Sequence, residues 1–206
     1  GERGLHVAVC YMTYGNDTRL HELLNGLWAA GVREYPILLG YKDRWSGGLK
    51  GAYKLWNEDD VLDKVAAVLN KYKPEVVVTH DIDGEYGHGA HMVCAEACLK
   101  LITEGKRELV QAPKKLYIHL WGENQIMMDW ETPLASFGGQ TALEAAQNAF
   151  HFHKSQLGYD APIGKGKYYK FTVASHDMFD NALYGLAYTT VGADEEKNDF
   201  MEHIPQ

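Results

Sequence analysis

The stretch PEVVVTHDIDGEYGHGAH, residues 74–91, joins a run of β-branched residues to a loop crowded with polar side chains. Val76, Val77 and Val78 predict a short strand, and the small and apolar residues 90–99 predict a helix after the loop. In an open α/β sheet, ligands bind beyond the carboxyl ends of the strands. We therefore expect this strand, loop and helix to carry the functional site.

Two histidines, His88 and His91, lie three residues apart near the predicted start of that helix, so their side chains are expected on one face. Two imidazoles on one face can offer a metal ligand and a proton donor side by side. The same two residues could instead cap and line the start of the helix. The pair by itself favours neither interpretation.

The whole run THDxxGEYGHxxH resembles the second motif of the LmbE/PIG-L family of zinc-dependent de-N-acetylases. The resemblance implies that His91 binds the metal, that His88 is the catalytic acid and that Tyr86 assists it at the oxyanion. It also implies Zn²⁺ or another divalent metal as the cofactor. Many members carry HPDH where this chain has a glycine and Ala90 between the histidines, so any role of the motif aspartate is absent at Ala90.

Three further segments match patterns of the same family. Arg19 and Glu22 match R-x-x-E, which implies that Arg19 contacts the substrate and that Glu22 supports it. Asp43 follows an L-G-x-x-D pattern, and His153 and Gln156 lie in H-x-S-Q, so the resemblance implies that these three residues also bind substrate. Without the resemblance, Arg19 and Glu22 would be explained as a surface ion pair and Asp43 as a turn residue. His153 and Gln156 would be explained as residues at the end of a helix.

The loop also contains three carboxylates, Asp81, Asp83 and Glu85, for which we predict different roles. We expect Asp81, at the end of the strand, to orient His88 or His91 through a hydrogen bond. In the resembling family the carboxylate base and two zinc ligands belong to an AHPDDE segment on the first strand, and no such sequence occurs here. We therefore assign the base to none of Asp81, Asp83 and Glu85. We expect residues 1–206 to form a single LmbE/PIG-L-like domain that lacks its first strand, since an open sheet without a central strand would expose unpaired edges.

Composition limits the partners and the compartment. The net charge of −8 argues against nucleic acid or an anionic membrane surface as partner. No apolar stretch approaches the length of a membrane span. The three cysteines cannot all pair, which favours a reduced, cytoplasmic compartment. The sequence leaves the oligomeric state open.

Hydrophobic periodicity predicts an α/β fold, which the resemblance makes a Rossmann-like, mostly parallel sheet flanked by helices, with an added strand pair near the carboxyl terminus. Residues 44–56, rich in glycine and aromatic side chains, are interpreted as a loop, either at the pocket rim or packed on the surface of the domain. The predicted helices cover residues 18–30, 59–71 and 142–156; the predicted strands cover residues 5–12, 35–40, 116–120, 168–173 and 183–191.

The resemblance implies hydrolysis of an N-acetyl group on a GlcNAc-type amino sugar by a metal-dependent enzyme, with a small glycoconjugate as partner. Two alternatives remain open at this point. One is a metal-dependent hydrolase of a different amide, such as an antibiotic or thiol conjugate. The other is a non-catalytic sugar-binding homologue without a complete metal site, which the absent AHPDDE sequence would explain.

Overall fold

The computed structural model describes residues 4–156, 160–162, 168–170, 183–196 and 198–205. The helices are α1 (Asp17–Ala29), α2 (Gly48–Leu55), α3 (Glu58–Tyr72), the single turn α4 (Gly84–Gly87), α5 (Gly89–Ile102) and α6 (Ala142–His151). The strands are β1 (Cys10–Tyr11), β2 (Ile37–Leu38), β3 (Val76–Thr79), β4 (Lys115–His119), β5 (Gln125–Met127), β6 (Asp160–Pro162), β7 (Tyr168–Lys170) and β8 (Leu183–Thr189). These elements fall into two compact units, one of residues 1–43 and 129–178 and one of residues 44–128 and 179–206.

In the first unit, β1 pairs in parallel with β2, and α1 connects the two strands. The side chain of Asn16 caps α1 by accepting a hydrogen bond from the backbone N of Arg19 at 3.0 Å. The predicted helix over residues 18–30 is thereby confirmed with its bounds shifted by one residue. Both strands are shorter than predicted, although backbone hydrogen bonds between the two segments continue to the pair Tyr41 and Met12.

Helix α6 packs against α1 in the same unit. It begins with a capping box between Thr141 and Glu144, in which each side chain accepts a hydrogen bond from the backbone N of the other residue. A Cβ at Gly26 of α1 would lie 2.8 Å from Nε2 of His153, so glycine permits the close approach. The predicted helix over residues 142–156 ends at His151 and is followed by a short 3-10 turn, Lys154–Gln156.

The second unit is built on a four-stranded sheet in the order β3, β4, β8, β5. Strands β3 and β4 are parallel, and β8 runs antiparallel to both β4 and β5. Strand β4 lies at the centre of the core, where Leu116, Tyr117 and Ile118 have no exposed surface. Helix α5 packs on β3 and β4 through an apolar face that includes Val93 and Leu101, and α3 packs against α5. These helices and parallel strands confirm the predicted α/β class.

Two predictions about local structure were wrong. Residues 48–55 form α2 rather than a loop, because Ala52 and Trp56 bury their side chains in the unit and offset the helix cost of the glycines. The two segments predicted as one added strand pair have different partners within the described residues. Strand β8 pairs with β4 and β5, while β7 pairs with the nearby β6, which needs only a short connection. Residues 171–173 of that prediction lie outside the described residues.

In the described part of the chain, no helix combines the length and the apolar character that crossing a membrane would require.

Candidate active site

The loop between β3 and α5 folds back on itself through an unusual backbone conformation. Gly84 and Gly87 both have positive φ angles, of 70° and 85°. Glu85 lies between them at φ 54° and ψ −58°, a region that a residue with a side chain rarely adopts. Such strain costs about 1–3 kcal/mol and persists where the surroundings impose it, often at functional sites. At Glu85, the contacts of the side chain account for this backbone conformation.

The carboxylate of Glu85 contacts three histidine rings. Its Oε2 lies 2.5 Å from Nδ1 of His91. Its Oε1 lies 3.0 Å from Nδ1 of His80, 3.1 Å from Nδ1 of His119 and 3.1 Å from the backbone N of Asp81. A carboxylate can only accept in these contacts, so each facing ring nitrogen carries the proton. One carboxylate therefore orders three imidazoles from the loop, from α5 and from β4.

The acidity of Glu85 reflects these contacts. Only 11% of its side chain is exposed, and this burial alone would raise the pKa of the carboxyl. The hydrogen bonds from His119, His80 and His91 outweigh the burial and hold the pKa of Glu85 well below its usual range. Glu85 is therefore an ionised carboxylate at neutral pH.

His88 both caps α5 and lies beside the other rings of the cluster. Its Nδ1 accepts a hydrogen bond from the backbone N of Ala90 at 3.2 Å, so the proton of the neutral ring is on Nε2. The ring centroids of His88 and His91 are 4.7 Å apart, and the ring of Tyr86 lies 5.7 Å from His88 and 5.5 Å from His91. The two interpretations of the histidine pair are thus compatible, because His88 caps the helix with one nitrogen and presents the other as a donor.

Trp45 borders this group. Its ring meets His88 edge-on at 5.1 Å and stacks on Tyr86 at 6.3 Å, with 57% of the residue exposed. The segment after it is held against α5 by a bridge between Gly47 and His88. Of the aromatic residues that we predicted at a pocket rim, Trp45 lies beside the histidines, whereas Trp56 belongs to the core.

Asp81 contacts the backbone of its own loop. Its Oδ1 accepts a hydrogen bond from the backbone N of Asp83 at 3.2 Å, and the carboxylate that contacts His91 is that of Glu85. Burial raises the pKa of Asp81, although the bond from the Asp83 backbone opposes the rise.

The predicted substrate residues lie in the first unit. Glu22 accepts hydrogen bonds from the backbone N of Ser155 at 2.7 Å and from its Oγ at 2.6 Å. Arg19 contacts both of these residues, at 3.4 Å from Oε2 of Glu22 and 3.3 Å from Oγ of Ser155. Nε2 of Gln156 lies 3.2 Å from the same Oγ. The structure thus joins the R-x-x-E and H-x-S-Q patterns into one polar network.

His153 and Asp43 border the same network. Burial and the charge of Arg19 lower the pKa of His153, despite the opposing effect of Glu22. A Cβ added at Gly15 would lie 3.3 Å from Cγ of Arg19 and 3.9 Å from Oδ2 of Asp43. The first unit therefore gathers the predicted substrate residues, while His88, Tyr86, Asp81 and His91 lie in the second unit.

The second unit also contains a donor set suited to a metal. One potential ligand atom from each of His80, Glu85 and His91 lies within 4.8 Å of the other two. The rings of His80 and His91 stack with centroids 4.1 Å apart. Nitrogen and carboxylate oxygen donors fit Zn²⁺ and similar divalent ions. Sequence reasoning gave no role to His80 or Glu85, although both belong to the motif that contains His91.

Residues 2–102 match the family described as PIG-L, GlcNAc-PI de-N-acetylase. The chain is similar to proteins named 1D-myo-inositol 2-acetamido-2-deoxy-alpha-D-glucopyranoside deacetylase. The relative from Mycobacterium leprae is 31% identical over 100 residues, which are 45% of this chain and 32% of the relative. That from Corynebacterium urealyticum is 34% identical over 104 residues, which are 43% of this chain and 31% of the relative.

The aligned region thus spans about a third of the length of these curated relatives. The matched residues include His88, His91 and Tyr86, together with the R-x-x-E and L-G-x-x-D patterns. Residues 2–102, just under half of the chain, are thus similar to the PIG-L (LmbE-like) family of de-N-acetylases.

Proposed function

We propose that this protein is a metal-dependent hydrolase that removes the N-acetyl group from a GlcNAc-type amino sugar. The observation that carries the proposal is the grouping of Tyr86, His88 and His91 at the start of α5, with ring centroids 4.7 to 5.7 Å apart. The family match and the names of the relatives support the reaction class. Those names also suggest the substrate class, an N-acetylglucosamine joined to inositol.

Zn²⁺ or another divalent metal would be held by His91, within the cluster that also contains His80 and Glu85. When bound, such an ion lowers the pKa of a coordinated water and polarises the acetamide carbonyl. Nδ1 of His91 is engaged by Glu85, so Nε2 is the nitrogen that a metal would take.

The remaining chemistry belongs to side chains around the substrate. Addition of the oxygen of water to the acetamide carbon creates a tetrahedral oxyanion, to which the hydroxyl of Tyr86 and the ring of His88 donate hydrogen bonds. The C–N bond then breaks as His88, in its imidazolium form, gives the proton on Nε2 to the departing amine. The proton that the attacking water releases returns His88 to this form, and acetate and the free amino sugar leave. Glu85 is not the base, because its oxygens already accept from three rings.

Arg19, Asp43, His153 and Gln156 are proposed to bind the sugar. Arg19 and Gln156 are held by a shared contact with Ser155, which supports the assignment because a substrate contact needs a fixed donor. Asp43 and Arg19 can accept from and donate to sugar hydroxyls respectively.

The test of the proposal is a measurement of acetate release. The substrates are N-acetylglucosaminyl-inositol and free N-acetylglucosamine, each with added Zn²⁺ and with a chelator. We expect Zn²⁺-dependent acetate release that favours one of these sugars. Binding of the sugar without acetate release in any metal would support the non-catalytic homologue instead. Release of a different acyl group only, from a panel of N-acylated thiol or antibiotic conjugates, would support the other hydrolase.

A further inference from the structure

We infer that Glu85 is a positioning residue for the metal ligand His91, fixing the ring so that Nε2 is presented to the metal. The inference rests on the proposed function, because it assigns to His91 the role of metal ligand. It goes further in naming the carboxylate that orients this ligand.

The first argument is the contact itself. Nδ1 of His91 lies 2.5 Å from Oε2 of Glu85, and 26% of the His91 side chain and 11% of the Glu85 side chain are exposed. Histidines that bind metals usually donate their other ring N–H to a carboxylate or carbonyl group, which sets the tautomer and the ring orientation. A hydrogen bond to an ionised carboxylate is shorter and about twice as strong as one between neutral groups.

The second argument distinguishes orientation from direct coordination. An ionised carboxylate has about four acceptor sites. Glu85 receives four nitrogen donors, from the rings of His80, His91 and His119 and from the backbone of Asp81. Oε1 already accepts from three of these donors, so coordination of a metal through Oε1 would displace one of them, and Oε2 is engaged by His91. Positioning leaves all four contacts in place.

The third argument is that the backbone is held in a costly conformation to place this side chain. Glu85 has φ 54° and ψ −58°, between two glycines of positive φ. The four nitrogen contacts are what hold it there. Because they come from the strand end, from α5 and from β4, Glu85 fixes His91 relative to the central sheet.

The test measures Zn²⁺ affinity of the whole chain by competition with a chromogenic chelator, for the wild type, Glu85→Gln and Glu123→Gln. Glutamine keeps the size of the side chain and removes its charge. Glu123 is an exposed glutamate in the same unit, so its variant controls for the change of net charge. We expect Glu85→Gln to weaken Zn²⁺ binding roughly 10- to 100-fold and Glu123→Gln to leave the affinity unchanged.

Equal affinities for the two variants would overturn the inference. Complete loss of Zn²⁺ binding in folded Glu85→Gln would make Glu85 a direct ligand and would also overturn it. If Glu85→Gln does not fold, the imidazole ¹H–¹⁵N spectrum of the wild type decides. A proton on Nδ1 of His91 supports the inference, and a proton on Nε2 alone overturns it. Absence of Zn²⁺ binding by the wild type would refute the proposed function, while this spectrum would still test the role of Glu85.

Discussion

Lys115 and Asp194 form a buried ion pair that joins β4 to the segment after β8, 79 residues later in the chain. The Lys115 side chain has no exposed surface, and 2% of the Asp194 side chain is exposed. The hydroxyl of Tyr117 donates to Oδ2 of Asp194 at 2.5 Å, and Nζ of Lys115 lies 3.1 Å from this hydroxyl. Burial and the bond to Asp194 raise the pKa of Tyr117, so the phenol stays protonated. Within the second unit, the pair thus links β4, the strand that carries His119, to the segment after β8.

We expect Asp194→Ala to destabilise the protein strongly, because it leaves the ammonium of Lys115 buried without its counter-charge. Removing one partner of a buried pair costs about 3–5 kcal/mol. The measurement is the free energy of unfolding in urea. Glu195→Gln, at the exposed neighbouring residue, is the matched control and is expected to change little. Equal midpoints for the two variants would contradict the prediction.

Gly89 is expected to tolerate no side chain. A Cβ there would lie 2.4 Å from the carbonyl O of Gly48 and 2.4 Å from Oγ of Ser46, so the segment that follows Trp45 would have to move. Overpacking of this kind costs about 1–3 kcal/mol. We therefore expect Gly89→Ala to lower the free energy of unfolding by this amount. Gly122→Ala is the control, because a Cβ at Gly122 would have no heavy atom within 4 Å, and an equal loss in both variants would refute the steric explanation.

The sequence predicted the elements whose signals are local. The apolar residues that recur at helical spacing in α1 and α3 and the run of β-branched valines in β3 suffice, because each pattern is specified by neighbouring residues. Helix α2 was missed because its glycines argue against a helix, and its stability comes from Trp56 and Ala52 in the core. The partners of β8 depend on contacts with strands far away in sequence, which a pattern of residues does not encode.

In the candidate site, too, the residues close together in sequence were predicted and the contacts made by the fold were not. The resemblance selected Tyr86, His88 and His91, which the structure groups within one turn and the start of α5. It did not select Glu85 as the partner of His91, because that contact depends on a backbone turn at positive φ rather than on residue spacing. His119, on a strand that lies 34 residues beyond Glu85, could be joined to the site only by the sheet.

Trp45 is expected to assist His88 by packing its ring edge-on at 5.1 Å. Aromatic contacts contribute about 0.5–1.5 kcal/mol, equivalent to roughly a 2- to 13-fold change in rate. Under the proposed activity, Trp45→Ala should lower kcat/KM within this range, and Trp45→Phe should retain most of it. Trp28→Ala is the control, since Trp28 is also exposed, at 64% against 57% for Trp45, but belongs to the first unit. Full activity in Trp45→Ala would exclude this role.

Glu22 is expected to make the stability depend on pH. Burial would raise the pKa of Glu22, but the two hydrogen bonds from Ser155 and the charge of Arg19 lower it. Because the pKa in the folded state is below the unfolded value of about 4.3, the contribution of Glu22 is complete above that pH and is lost as the pH falls through the folded value. The difference in unfolding free energy between wild type and Glu22→Gln should therefore shrink on acidification from pH 7 to pH 3. A constant difference would show that the carboxylate charge is not what Ser155 recognises.

His88 and His91 should separate chemistry from metal binding. His91→Ala is expected to weaken Zn²⁺ binding, because it removes the proposed ligand together with the ring that contacts Glu85. His88→Ala should retain Zn²⁺ and lose roughly 10²- to 10⁴-fold in kcat, the range for a general acid. His88→Asn keeps a side-chain acceptor for the backbone N of Ala90 but supplies no acid, so it distinguishes lost catalysis from lost helix capping. Full turnover by His88→Asn would refute the assignment of His88 as the acid, whereas equal Zn²⁺ loss in the His88 and His91 variants would show that the two rings share the metal.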